Sequence, residues 1–296
     1  QFATSRCTAD PDIPDLMEGG ALVVNGELVP AGRPVIAVDN RAYRYGDGLF
    51  ESIRVVNGQP CFIGAHWARL TEALKVLRIN CPDGLNERTL KAHIERLVVE
   101  CGHASARIRL TVYRDAPGHY RPEGNNSGYT IALTPLSSAN YILNHEGLVT
   151  DIWPEMRKQV NRLSSLKTLN GQLYVMAGLW CMDRGLDDCL LQNDKGNIIE
   201  SGSGNVFIVS NGVLYTPPLS DGCIGGVMRM QVINLAVTNG IKVYETSLNP
   251  QNLLAADELI MTNAVRGPQW AAAYRTKRYT HRMALHLVDL LVKSIA

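Results

Sequence analysis

The run ARIRLTVYR at residues 106–114 alternates without a break, with Ile108, Leu110 and Val112 on one side and Arg107, Arg109 and Thr111 on the other. A period of two over this length fits a β-strand with one buried and one polar face. Such a strand needs an apolar layer laid against it. Two segments upstream can supply that layer. GAHWARLTEALKVLRI (64–79) carries Leu70, Leu74 and Leu77 at helical spacing, and RTLKAHIERLVVEC (88–101) repeats the pattern. The chain is therefore read as α/β (mixed α+β), with helices set against sheets.

Other elements follow from local chemistry. ALVVNGELV (21–29) is expected to form a hairpin turning at Asn25-Gly26, followed by a strand at PVIAV (34–38). SGYTIALTPL is a further strand, and the polar segment SSANYILNHEG (137–147) is the expected linker. Beyond it come a strand near 148–153, a helix near 170–184, and strands at 188–192 and 205–216. A helix from about 227 to TNG, a strand at DELIMTNA and a C-terminal helix at 280–295 complete the chain. The expected domains are 21–136 and 148–296, the first smaller, behind a flexible or appended leader over 1–20 that lacks a signal peptide's apolar core.

Composition narrows the function. A net charge of +1 with no basic run argues against a nucleic-acid partner. No apolar run approaches the roughly 20 residues of a membrane span. The seven cysteines (7, 61, 81, 101, 181, 189 and 223) are odd in number and scattered, without C-x-x-C or a zinc-type spacing. They read as reduced thiols of a cytoplasmic protein with no metal site.

One lysine stands out. Lys167 lies in SSLKTLNGQLYVM (164–176), and the nearest carboxylates in sequence are Glu155 and Asp183. It is either a surface residue or a desolvated amine suited to nucleophilic or Schiff-base chemistry. Thirty-three residues later, Glu200 ends an apolar run and is followed by a Gly/Ser turn. GGVMR then opens a helix whose free N–H groups could hold a phosphate.

Taken together, Glu200, Gly202, Asn205, Val206, Phe207, Leu214, Thr216, Ile224, Gly226, Val227 and Arg229 resemble the signature of the class IV (fold type IV) pyridoxal-phosphate aminotransferases. DNRAYRYGDGLFESIRVVNG (39–58) resembles that family's opening hairpin, HWARL (66–70) its H-x-x-R-L element, and KTLN (167–170) its lysine segment. The resemblance covers about residues 20–275. It implies a small N-terminal α/β domain, a larger pseudo-barrel domain, and pyridoxal 5'-phosphate as cofactor. Lys167 would form the Schiff base and shuttle the substrate's α-proton, and Glu200 would pair with the pyridine nitrogen. Arg69, Asn263 and the N–H groups at Gly226, Val227 and Met228 would hold the phosphate. Arg107 and Arg109 would face a substrate carboxylate beside Ala264 and Val265, with Tyr43, Tyr45 and Phe50 as walls. Residues 113–128 resemble a covering loop, which in this family commonly reaches the partner subunit's site and so implies a homodimer.

The sequence also departs from the pattern. Branched-chain enzymes carry a tyrosine five residues after the lysine, where this chain has Gln172. Thr262-Asn263-Ala264 looks closer to aminodeoxychorismate lyases. Three functions follow as expectations: a transaminase acting on an amino acid and a 2-oxo acid, a lyase forming 4-aminobenzoate and pyruvate, or a homologue that only binds.

Overall fold

A computed structural model describes residues 20–295, so the expected leader, all but its last residue, lies outside the described residues. The described chain groups into two units, residues 20–140 with Leu166–Asn170, and Tyr141–Ser165 with residues 171–295. The short segment that carries Lys167 thus belongs with the N-terminal residues.

The first unit contains β1 (Ala21–Val24), β2 (Glu27–Pro30), α1 (Arg41–Tyr45), β3 (Gly48–Val56), β4 (Gln59–Pro60), α2 (Ile63–Leu77), α3 (Glu87–Cys101), β5 (Ala106–Arg114) and β6 (Ser127–Pro135). Its strands form one antiparallel sheet in the order β2-β1-β6-β5-β3-β4. The hairpin at Asn25-Gly26 forms as expected, with positive φ at both turn residues. In β5, Ile108, Leu110 and Val112 are fully buried while Arg107, Arg109 and Thr111 are half-buried, so the alternation translates directly into two faces. The apolar face packs with Leu70 and Leu74 of α2 and Leu90, Ile94 and Leu97 of α3. The start of α3 is fixed by a capping box in which Asn86 and Thr89 satisfy each other's backbone N–H groups.

Two expectations fail here. PVIAV forms no strand: it follows β2, the sheet's edge, and leaves Ile36 and Val38 exposed. Residues 39–47 are not part of a hairpin either. The Asn40 carboxamide accepts the Ala42 N–H to start α1, and Gly46 ends it in the left-handed conformation.

The second unit holds β7 (Leu148–Ile152), α4 (Gln172–Arg184), β8 (Asp188–Gln192), β9 (Ile198–Ser201), β10 (Asn205–Ser210), β11 (Val213–Thr216), α5 (Val227–Thr238), β12 (Val243–Glu245), α6 (Pro250–Ala255), β13 (Glu258–Asn263), β14 (Gly267–Tyr274), β15 (Lys277–Arg278) and α7 (Arg282–Ser294). Its nine strands make a mixed sheet, β12-β11-β10-β13-β14-β7-β8-β9, with β15 pairing off β14. The pairs β11–β12, β14–β7 and β7–β8 are parallel. One core lies under β10 and β13 around Val206, Leu259 and Met261, and another joins α4 to β8 and β9 around Trp153, Trp180 and Leu191. The sequence reading missed β14, whose GPQWAAAY has no apolar alternation because both of its faces are largely covered. The mixed α/β class itself stands.

The helix layer of the first unit can be tested on one helix. Leu97→Ala, at a fully buried position, should cost roughly 2–5 kcal/mol. Val99→Ala, at an exposed one, should change stability by less than about 0.5 kcal/mol. Urea midpoints should move accordingly with the slope unchanged; equal shifts would contradict the packing.

Candidate active site

In the first unit, the backbone of Leu166–Asn170 is laid along the start of β3. Phe50 N–H donates to the Lys167 carbonyl (3.0 Å), Leu169 N–H donates to the Gly48 carbonyl (3.0 Å), and Leu49 pairs with Thr168. Glycine is required at 48, because a Cβ there would sit 2.4 Å from the Val112 carbonyl oxygen and 2.8 Å from Leu169. The pinned backbone delivers the Lys167 ammonium over the Phe50 ring at 4.2 Å, and Arg109 reaches the same ring at 4.0 Å. Burial, and then the charge of Arg107, push Arg109 below its ordinary value, and it stays cationic. Lys167 and Arg109 thus both lie over the Phe50 ring, and Arg107 is near enough to Arg109 to act on its charge. Tyr45 lies against Tyr120 and under the guanidinium groups of Arg41 and Arg44, whereas Tyr43 is largely exposed. The loop between β5 and β6 is tied down by Arg41, which donates to the Gly118 and His119 carbonyls.

Arg69, on α2, is engaged by a residue that the sequence reading did not single out. Its Nε donates to Glu51 Oε1 at 2.8 Å and its Nη2 to Oε2, while His66 Nδ1 lies 2.6 Å from Oε2. Burial opposes the charge on Glu51, but the Arg69 charge and the hydrogen bonds from His66 and Arg69 outweigh it and bring the carboxyl down to about 2. Burial pushes the His66 imidazole down, so the ring is a neutral donor from Nδ1. The only sequence signal for this trio was the spacing H-x-x-R preceded by an acid in an apolar strand.

In the second unit, Glu200 is the next-to-last residue of β9 and is 2% exposed. Its Oε1 accepts from Lys158 Nζ (2.7 Å) and from the Tyr174 hydroxyl (2.8 Å), and its Oε2 accepts from Ile224 N–H (2.8 Å). Lys158 Nζ also donates to the Tyr174 oxygen at 2.9 Å, closing a triangle. Burial, and then the Glu200 carboxylate, hold the Tyr174 phenol far above its usual range, so it remains a neutral donor. Sequence reasoning named neither Lys158 nor Tyr174.

Beyond Glu200 the chain turns through Gly202 and Gly204, where a Cβ would meet Asp188 at 2.9 Å and the Thr262 carbonyl at 2.3 Å. Asp188, fully enclosed, accepts from Ser203 Oγ and from the Cys189 N–H. Asn205 Nδ2 then donates to the Ile224 carbonyl, so one short stretch is fixed to both Glu200 and β10. Two residues on, Gly226 caps α5 without any side-chain hydrogen bond, and a Cβ there would lie 1.8 Å from Asn205 Oδ1. The N-terminus of α5, at Val227 and Met228, therefore presents backbone donors with no side-chain cap, an arrangement suited to an anion. Arg229 is buried and anchors α5 through the Pro217 carbonyl and Glu245. In the turn after β13, Asn263 Oδ1 accepts from the Val265 and Arg266 N–H groups, and the Ala264 carbonyl accepts from Tyr141.

The buried Glu200 carboxylate is thus hydrogen-bonded to Ile224, which lies two residues before an uncapped helix start. Comparison with known proteins shows the family. Residues 48–270 match the amino-transferase class IV family. The chain belongs to the class IV aminotransferases. It is 33% identical over 245 residues to a Methanocaldococcus jannaschii protein provisionally named a branched-chain-amino-acid aminotransferase, covering 81% of this chain and 83% of that one. It is 26% identical over 248 residues to the aminodeoxychorismate lyase of Bacillus subtilis, covering 82% and 83%. The fold matches the branched-chain aminotransferase of Thermoproteus uzoniensis, crystallised with norvaline, with a TM-score of 0.85 over 92% of this chain and 93% of that one at 24% identity.

The Glu51 carboxyl sits lower in the folded chain than in the unfolded one. Its contribution to stability is thus complete above about pH 4.5 and is lost as pH falls toward about 2. Glu51→Gln should flatten that acid limb of the stability profile measured by urea unfolding. An unchanged limb would show that Glu51 is not held ionised.

Proposed function

We propose that this aminotransferase-family protein is a pyridoxal-phosphate-dependent transaminase that moves an amino group between an amino acid and a 2-oxo acid. The observation that carries the reading is Glu200, a buried carboxylate fixed by three donors, one of which, the Ile224 N–H, lies two residues before the uncapped start of α5. When bound, the cofactor supplies an electron-withdrawing ring that stabilises negative charge at the substrate's α-carbon. The chain's own residues do the rest. Lys167 supplies the amine that attaches the cofactor and then carries the α-proton. Glu200 accepts a hydrogen bond from the ring nitrogen. The N–H groups of Val227 and Met228, with Arg69 and Asn263, bind the phosphate. Arg107 and Arg109 are assigned to the substrate carboxylate, and Tyr45, Phe50, Ala264 and Val265 to substrate contact.

Arg69 reaches this role already neutralised by Glu51, which orients its fork while leaving little net charge for the phosphate. The α5 N-terminus then carries more of the phosphate binding than Arg69 does. The reading includes a cytoplasmic homodimer, with the β5–β6 loop near the partner's site. Lyase chemistry is the second reading, favoured by Thr262-Asn263-Ala264 and by the Bacillus subtilis relative.

Amino acids should convert the bound cofactor to its pyridoxamine form, and 2-oxoglutarate or pyruvate should restore the starting spectrum. If amino acids leave the spectrum unchanged while aminodeoxychorismate yields 4-aminobenzoate, the lyase reading replaces this one. Glu200→Gln should lower turnover at least about a hundredfold, the scale of removing one well-placed electrostatic group. Near-normal turnover would rule out the role given to Glu200.

A further inference from the structure

Lys158 has no place in the functional reading so far, yet it is the cation nearest the acid on which that reading rests. Its side chain is 11% exposed and its ammonium contacts Glu200 Oε1 at 2.7 Å. Its backbone is fixed as well. Lys158 N–H donates to the Gln192 carbonyl at 2.9 Å, and the residue bridges to Asn193 beyond the end of β8. The Tyr174 hydroxyl accepts from the same ammonium and donates to the same oxygen, so the contact has a defined direction. A solvated lysine would show none of these three restraints.

The two carboxylate oxygens are used unequally. Oε1 carries both Lys158 and Tyr174, whereas Oε2 carries only the Ile224 N–H. A carboxylate offers about four lone-pair sites, two on each oxygen. Among the described residues the remaining one lies on Oε2, on the Ile224 side, where the α5 start follows two residues later. A ring nitrogen meeting Glu200 would therefore do so on the oxygen that Lys158 does not occupy.

Resting on the proposed cofactor, we infer that Lys158 is a positioning residue that decides where the proton between Glu200 and the cofactor's ring nitrogen resides. With the proton on the ring, Glu200 is an anion in contact with the ammonium. With the proton on Glu200, the ammonium faces a neutral acid. Coulomb attraction falls with distance, so a cation touching the carboxylate stabilises that anion more than it repels a positive ring bound on the other oxygen. Lys158 thus holds the proton on the ring nitrogen. The donors Tyr174 and Ile224 also favour the anion through their hydrogen bonds, but neither brings a net charge to it.

The experiment uses full-length holoenzyme loaded with pyridoxal phosphate carrying nitrogen-15 in the ring, compared with Lys158→Gln, Lys158→Met and Lys158→Arg. The ring nitrogen of the unsubstituted protein should resonate in the pyridinium range. Both neutral variants should move it toward the pyridine range, and Lys158→Arg should restore it. Cofactor affinity, titrated by absorbance, should weaken in the neutral variants by about tenfold or more, the scale of a lost charge-assisted contact. If one neutral variant fails to fold, the other decides, since glutamine keeps a donor and methionine keeps the apolar stem. A pyridinium signal that persists in a folded neutral variant overturns the role of Lys158 while leaving the cofactor reading intact. Failure of the unsubstituted protein to bind pyridoxal phosphate overturns both.

Discussion

A carboxyl group with 2% exposure is costly to bury unless its oxygens find donors, and Glu200 is satisfied by donors drawn from three separate parts of the second unit. Lys158 comes from the segment ahead of α4, Tyr174 from the first turn of α4, and the Ile224 N–H from the approach to α5. These elements are not neighbours in sequence. Each must be in register for the acid to be satisfied, so the fold and the site constrain one another at this residue. Much of the local glycine usage follows from the same demand. Gly202, Gly204 and Gly226 stand where a side chain would strike Asp188, the Thr262 carbonyl or Asn205.

The first unit solves a related problem differently. There Glu51 is buried between a neutral histidine and an arginine fork, so its charge is matched within one strand and one helix. Phe50, the next residue along β3, has its side chain on the opposite side of the strand and faces Lys167 and Arg109. One strand thus has the Glu51–Arg69 ion pair on one face and two cations against the other. The bond from Phe50 N–H to the Lys167 carbonyl ties the lysine backbone to that strand, and the ammonium position follows from backbone geometry.

Much of this was legible in the sequence because the relevant signals were local. The alternation in β5, the leucine spacing of α2 and α3, and the Asn25-Gly26 turn each express a rule that operates over a few residues. The signature from Glu200 to Arg229 is local too, since it traces one strand, one turn and one helix start. What escaped the reading was set by contacts distant in the chain. Lys158 lies 42 residues from Glu200 and Tyr174 lies 26 away, and neither spacing carries a periodic signal. Gln172 stands where branched-chain enzymes carry a tyrosine, yet a hydroxyl arrives two residues later on the helix and reaches the acid. PVIAV misled for the opposite reason: its composition favours a strand, but it lies beyond the sheet's last partner.

On the proposed function, two lysines are candidates to attach the cofactor, Lys167 beside Phe50 and Lys158 beside Glu200. The account assigns attachment to Lys167, because Lys158 is committed to the carboxylate and to Tyr174. Borohydride reduction of the protein incubated with pyridoxal phosphate, followed by peptide mapping, separates them. The account predicts a single stable label on the peptide containing Lys167 and none on the peptide containing Lys158. A label on Lys158, or on any lysine other than Lys167, would contradict it.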